Sequence, residues 1–382
     1  MSDEYLDPIE MAEALAAEMA ERADEADLAG AMPPEDLQLL RDSGYLTLTI
    51  PEEFGGSGMS LEDTVATQLE LAQGSTSTAL IAAMQLHVFG NESEQRIWPE
   101  ARFAEFCRAA VEEDALFNSV ASEPVMGSPS WGRFFRTIAE PQADGALRIN
   151  GHKNWTTGGP YLTHMLVALS LGDGTASVLI PGDTPGVRWE RTWGDSLSLR
   201  ASESHDVYFE NVIVPASNQI VPQKEAGENV WFGPLMAATY LGAAVAARDS
   251  IIRYTLERTP PSLGKPIATL PKVQRQIGEI DVALQTAELL LMQVASEWTG
   301  LDEHRQEFLP RLAVAKYHAI EVALEVTEKA LRIAGGISIS KALPLERYFR
   351  DVRAGLMHPP SGDIALEIIG RGAYDRYGGI PG

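Results

Sequence analysis

The chain has 382 residues, 45% of them hydrophobic and 22% charged, which excludes a disordered or fibrous protein and implies two or three packed domains. Its formal net charge of −24 repels nucleic acid and anionic membrane surfaces, and disfavours an anionic substrate unless basic residues gather at the site. One cysteine, Cys107, excludes an internal disulfide or a thiol-rich metal cluster and fits a reducing cytoplasm; within the apolar stretch 103–111 it reads as a small buried hydrophobe.

The acidic N-terminus lacks the pattern of a secretory or transit peptide, and no apolar run reads as long enough to cross a bilayer. From residue 1 to about 115 the pattern is helical. Met11, Leu15 and Met19 recur at i, i+4 and i+8 on one apolar stripe. Pro33-Pro34 followed by Glu35 and Asp36 opens a second helix, which Gly44 stops. Residues 45–50 read as a short extended run, and 51–60 as a turn-rich loop. Ser60 then caps a further helix, with Asp63 at capping-box spacing, and 74–89 reads as a buried alanine-rich helix.

Between about 116 and 221 the period changes. Asn150-Gly151, inside the run 147–157, is a hairpin signal. Residues 165–171, 176–180 and 206–215 read as strands, and several short strands between turns predict a small antiparallel barrel or sandwich. From about 231 to the end the chain is helical again, with long helices over 235–257, 271–298 and 309–334 and a shorter one over 343–353, lengths that suit an antiparallel bundle. The seven histidines are scattered, so no metal site is expected.

Five strings occur in a telling order: Pro51-Glu-Glu-Phe-Gly-Gly-Ser-Gly58, Ser122-Glu-Pro124, Ile149-Asn-Gly-His-Lys-Asn-Trp-Thr-Thr157, Val207-Tyr-Phe-Glu-Asn-Val-Ile-Val-Pro215 and Ile333-Ala-Gly-Gly336. Together they resemble the acyl-CoA dehydrogenase superfamily over nearly the whole chain. The resemblance implies a mainly α protein with an N-terminal helical domain (1–115), a central antiparallel β barrel or sandwich (116–221) and a C-terminal four-helix bundle (222–382). It also implies an FAD between the β domain and the bundle, a homodimer or homotetramer, an acyl-CoA-like substrate and an electron-accepting flavoprotein partner.

By the same resemblance Trp155 and Thr157 match a flavin-edge pair, the indole lying against the isoalloxazine and the threonine approaching N5. Ser122 matches a flavin-ring contact, and Ser128 a pyrophosphate contact. Arg258 matches an arginine that reaches a neighbouring subunit's FAD, and Gly335 and Gly336 a close approach to its adenine side. As a bare sequence each has a plainer reading: turn serines, a helix C-terminal arginine and a helix-ending glycine pair. The loop 123–129 departs from the family pattern, with Val125 for a glycine and Pro129 for an aspartate.

The resemblance further implies oxidation of a CH–CH bond in an acyl thioester, with a carboxylate base and hydride transfer to flavin N5. At the usual base position this chain has Pro359, preceded by His358, while Ser361 takes the place of a threonine that contacts FAD. The alternative base position falls near Phe232-Gly233, again with no carboxylate. Three readings follow: a dehydrogenase with a displaced base (His358, Asp363 or Glu228), a flavin monooxygenase on the same fold using His358, or a catalytically reduced subunit that partners an active chain.

Overall fold

The computed structural model describes residues 7–124, 135–301 and 305–379. Ser128 and the departures at Val125 and Pro129 lie outside those residues.

Asp7 opens the first helix by accepting the Ile9 N–H at 2.9 Å, and α1 (Pro8–Ala29) buries Leu15 and Met19 of the expected stripe before Gly30 ends it in the left-handed region. Next come α2 (Pro34–Asp42), α3 (Leu61–Gly74), α4 (Thr76–Gln95) and α5 (Glu100–Glu112). Ser60 caps α3 as its spacing predicts, its Oγ accepting the Asp63 N–H at 3.1 Å. The run 45–50 is not extended, however. Gly44 at φ 74 starts a 3-10 turn, Tyr45–Thr47, and Thr47 Oγ1 donates to the Gly44 carbonyl at 2.9 Å. Tyr45, Leu46, Leu48, Thr49 and Ile50 are all buried, so the segment packs on all sides and no period-2 face exists to hold a strand.

Eight strands follow: β1 (Phe117–Val120), β2 (Ile138–Pro141), β3 (Ala146–Thr156), β4 (His164–Leu171), β5 (Gly174–Pro181), β6 (Val187–Glu190), β7 (His205–Pro215) and β8 (Gln219–Ile220). They form one sheet in the order β6-β7-β3-β2-β4-β5-β8, with β1 beside β4. The sheet is neither closed nor wholly antiparallel, which corrects the barrel expectation. Both β1 and β2 run parallel to β4, β1 against residues 164–167 and β2 against 170–171. β1 and β2 thus share one edge of β4.

The Asn150-Gly151 pair makes no hairpin. β3 runs straight through it, with a register shift against β7 between Ile149 and Gly151. The Asn150 side chain accepts the Asn211 N–H at 2.8 Å. Glycine is required here by space and not by a turn, since a Cβ on Gly151 would lie 2.5 Å from Thr137 Cα. Bulge and hairpin both favour Asn and Gly, so the dipeptide alone could not separate them.

The C-terminal part contains α6 (Phe232–Glu257), α7 (Pro271–Thr299), α8 (Arg305–Ala334), α9 (Leu345–Asp351) and α10 (Gly362–Asp375). The fourth bundle helix is α10, which the sequence reading did not locate. By length and composition α6 could span a membrane, contrary to that reading, but 83% of its most apolar window is buried, as in a core helix. α3 crosses it so closely that a Cβ on Gly242 would sit 2.4 Å from the Leu69 carbonyl oxygen. One apolar core runs from α1 through the sheet to α9. A smaller one gathers Phe89, Phe103, Phe106 and Phe117 around Cys107, whose thiol burial pushes up to about 12.

Gly151→Ala is expected to lower stability by about 1–3 kcal/mol, through overpacking against Thr137. Gly278→Ala, helical and with open space at its Cβ, should be neutral or gain up to ~1 kcal/mol. Chemical denaturation of both variants checks the pair.

Candidate flavin site

The end of β3 is irregular. A second register shift against β7 falls between Lys153 and Thr156, and Trp155 takes φ 55. For so bulky a residue that conformation costs about 1–3 kcal/mol. It turns the indole outward, 58% exposed, while Asn154 and Thr156 on either side are buried. A large apolar surface is thus shown to solvent at the expense of backbone strain.

Polar atoms without partners lie on the residues next to it in the chain and on the segment paired with them. Ser122 Oγ, Asn154 Oδ1, Thr156 Oγ1 and Asn118 Oδ1 are buried and unbonded. Two contacts hold them together: the Asn154 N–H donates to the Ser122 carbonyl at 3.1 Å, and Asn118 Nδ2 donates to the Thr157 carbonyl at 2.8 Å. Orphaned buried polar groups are rare and costly, so a concentration of them marks a place where a ligand supplies the missing bonds. A flat ring with a polar rim, such as the isoalloxazine of FAD, suits an exposed indole on a stretch of chain whose neighbours carry unbonded polar atoms. Thr157 is buried with them; its Oγ1 shares a hydrogen with Ser204 Oγ at 2.9 Å, and Ser204 with Ser202 Oγ at 2.7 Å.

Beneath this face lies an ion pair that the sequence reading left unassigned. Lys153 Nζ donates to Glu123 Oε1 at 2.8 Å and to the Ala121 carbonyl at 3.1 Å, both side chains being essentially out of solvent. Glu123 also accepts the Arg136 N–H at 2.7 Å and the Thr137 N–H at 2.9 Å. The carboxylate therefore ties the chain leaving β1 to the chain entering β2. Burial would raise the Glu123 pKa, but Lys153 and the two amides outweigh it and hold it below the usual range. Burial pulls Lys153 down to about 8, against the raising effect of Glu123.

His358 lies in the turn between α9 and α10. Its Nδ1 pairs with Tyr240 Oη on α6 at 2.8 Å, and Phe232 meets its ring edge-on at 5.8 Å. His87 on α4 meets Phe232 from the other side at 5.1 Å and accepts from Asn229 Nδ2 at 2.9 Å. Burial first, then the nearby Lys316, lowers His358 to about 4; burial lowers His87 to about 4 as well. Both rings are neutral at pH 7. Glu228 and Asp363, the carboxylates weighed as displaced bases, are exposed.

Of the remaining expected residues, Ser361 lies three positions beyond His358, and Arg258 lies apart. Arg258 ends α6 and is exposed, at the opposite end from Phe232, about 39 Å away by helix rise. Gly335 ends α8 at φ 68, and added Cβ atoms on Gly335 and Gly336 would meet nothing within 4 Å. Ser361 stands at the N-cap of α10 without a side-chain bond to it. Tyr240, Lys316 and the Lys153–Glu123 pair were missed. A lysine on a buried strand face, or in the apolar run Leu312–Ile320, is the signal that could have found them.

Three family models match: the acyl-CoA dehydrogenase N-terminal domain over residues 3–99, the middle domain over 119–212 and the C-terminal domain over 235–360. The Bacillus subtilis protein YdbM, which carries an acyl-CoA dehydrogenase name, is 36% identical over 94% of this chain and 95% of its own length. The structure of butyryl-CoA dehydrogenase from Megasphaera elsdenii superposes with a TM-score of 0.85 at 23% identity, covering 98% of this chain and 99% of that one. TdsC from Paenibacillus sp. A11-2, a dibenzothiophene monooxygenase solved with FMN bound, gives 0.86 at 24% identity, covering 97% of each chain. These two structural likenesses establish the fold.

Lys153→Met should cost about 3–5 kcal/mol by stranding a buried carboxylate, with much of the loss recovered in the Lys153→Met, Glu123→Leu double variant. A double-mutant denaturation cycle measures the coupling. His87 binds a proton below pH 6.5 when unfolded but only below about 4 when folded, so it makes stability fall as pH drops through that window, by at most about 3 kcal/mol. His87→Asn should make the denaturation midpoint less acid-sensitive between pH 6.5 and 4 by about one bound proton.

Proposed function

Because this chain belongs to the acyl-CoA dehydrogenase family, we propose that it is an FAD-dependent oxidoreductase that oxidises the CH–CH bond of an acyl thioester. The observation that carries the reading is the outward Trp155 indole, held in a strained conformation beside four unbonded polar atoms. In this reading Trp155 packs on the flavin ring, while Ser122, Asn154, Thr156 and Asn118 answer its polar rim. Thr157, steadied by Ser204 and Ser202, borders the reacting edge. A bound flavin would supply a two-electron acceptor for a hydride, and the second hydrogen would leave the substrate as a proton, for which Asp363 and Glu228 are the carboxylate candidates.

On the substrate side His358 offers a neutral imidazole whose Nδ1 is engaged by Tyr240. Burial raises the Tyr240 pKa well above the usual tyrosine value, so the phenol stays protonated and donates. The ring proton then resides on Nε2, where a substrate oxygen could accept it. Phe232 packs edge-on against that ring, with His87 against Phe232 in turn, and helps to exclude water. Ser361 stands at the entrance of α10, a partly positive helix end that suits an anionic or carbonyl group. Arg258, far along α6 from His358 and exposed, supports a homodimer or homotetramer in which it serves a neighbour's cofactor. Reoxidation by an electron-accepting flavoprotein completes the cycle.

A second reading, a flavin monooxygenase, draws support from one observation. The turn where the family resemblance expects a carboxylate presents a histidine bonded to a tyrosine. Neutral imidazole and phenol handle protons in oxygen chemistry without an α-carboxylate.

Anaerobic mixing of FAD-loaded protein with a panel of acyl-CoAs discriminates the two readings. The first predicts bleaching of the flavin without oxygen. No bleaching with any acyl-CoA, together with an oxygenated product from reduced flavin and air, selects the second. Trp155→Asn should weaken FAD binding at least about tenfold through loss of ring packing. It should leave thermal stability equal or higher, because asparagine tolerates the left-handed conformation. Equilibrium binding and melting curves of the same preparation give both numbers.

A further inference from the structure

A buried cation stands close to His358 and touches backbone carbonyls alone among its hydrogen-bond partners in the described residues. Lys316, within α8, is 3% exposed. Its Nζ donates to the carbonyls of Gly355 at 3.1 Å, His358 at 2.9 Å and Pro360 at 2.8 Å. Three donors meet three acceptors, so the ammonium has no proton left for a ligand. Gly355 lies in the 3-10 extension of α9, Val352–Leu356, and His358 and Pro360 lie in the turn that follows it. Carbonyls at such an end carry partial negative charge, and a cation there is favourable. Burying an ammonium still costs desolvation, and burial lowers the Lys316 pKa to about 8. The turn it closes carries the imidazole that meets Tyr240 and Phe232.

We propose that Lys316 is a positioning residue for His358: by gathering the carbonyls of residues 355, 358 and 360 on one ammonium it fixes the imidazole against Tyr240 and Phe232, and it sets a positive charge beside that ring. The proposal rests on the reading of His358 as part of the reacting end of the site. The titratable or charged groups around the ring are Tyr240 on α6, Lys316 on α8, His87 on α4 across Phe232 and, beyond Tyr240, Asp351 on α9. Of these, the Lys316 ammonium is the group whose charge favours a neutral imidazole. Its removal has two separable effects: the turn loosens, and the ring becomes easier to protonate.

The test uses FAD-loaded full-length protein carrying Lys316→Met or Lys316→Arg. Hydrogen exchange is measured over residues 354–361, and the His358 pKa is followed by 15N-histidine NMR, assigned with His358→Gln. The steady-state constants use whichever acyl-CoA bleaches the flavin fastest. Lys316→Met should speed exchange in 354–361 at least about tenfold, as three charge-assisted bonds are lost. It should also raise the His358 pKa by about one unit, and lower kcat by at least about tenfold with KM nearly unchanged, as expected for a misplaced group. Lys316→Arg should keep the imidazole pKa low yet lose kcat, since a planar fork cannot converge on three carbonyls as an ammonium does. If Lys316→Met does not fold, the arginine variant decides alone.

Unchanged exchange and an unchanged imidazole pKa in Lys316→Met overturn the proposal whatever the turnover. So do altered exchange and pKa with full kcat, which would make Lys316 a structural residue and leave the oxidoreductase reading intact. Should exchange and pKa respond as expected while no acyl-CoA reduces the flavin, the positioning is supported and the acyl-thioester reading falls.

Discussion

Lys153 and Glu123 form a charge pair essentially out of solvent, and their chain neighbours Ser122 and Asn154 belong to the candidate flavin site. The carboxylate accepts from the lysine and from two backbone amides thirteen and fourteen residues along the chain, at Arg136 and Thr137. The lysine returns a bond to Ala121. An isolated charge at this depth would be prohibitively costly, so the pair forces three segments into one place: the exit of β1, the entry of β2 and the end of β3. The shared edge of β4 follows, because β1 and β2 are pinned at the point where they part. So does the outward indole two residues beyond Lys153.

Strain and unsatisfied polarity then lie on the same short stretch. Trp155 in the left-handed region and unbonded atoms on Asn154, Thr156, Ser122 and Asn118 each cost stability. Proteins retain such costs where a ligand or a reaction recovers them. At the other end of α6 from Arg258, a different economy holds. His358, Tyr240, Phe232 and His87 form a mostly buried, uncharged aromatic group, next to a lysine whose every donor is occupied. In the proposed reading, one face receives a ring and the other presents neutral hydrogen-bonding groups to the substrate.

Much of this was legible in the sequence, and the failures have physical causes. Helix positions in α1, α3, α6, α7 and α8 follow from apolar period and capping residues, which are local. The strands β4, β5 and β7 follow from apolar runs between turns. Asn150-Gly151 misled because a bulge and a hairpin turn ask for the same dipeptide, and the deciding fact, Thr137 Cα at 2.5 Å from a would-be Cβ, lies fourteen positions upstream. Residues 45–50 misled because a 3-10 turn buried on all sides carries the same apolar residues as a strand. The parallel pairing of β1 and β2 with β4 could not be read from strand propensities, which carry no partner. Trp155 was identified from its string, but its exposure depends on a bulge that breaks alternation along β3. Lys316 and Tyr240 meet His358 from 42 and 118 positions away, and neither pairing leaves a local pattern.

Mapping FAD binding by hydrogen exchange tests the central claim most directly. Full-length protein titrated with FAD should bind one equivalent per chain, and exchange should slow at residues 118–122 and 154–157, where the unbonded atoms gain partners. Binding that leaves both segments unprotected, or no binding at any FAD concentration, would contradict the account.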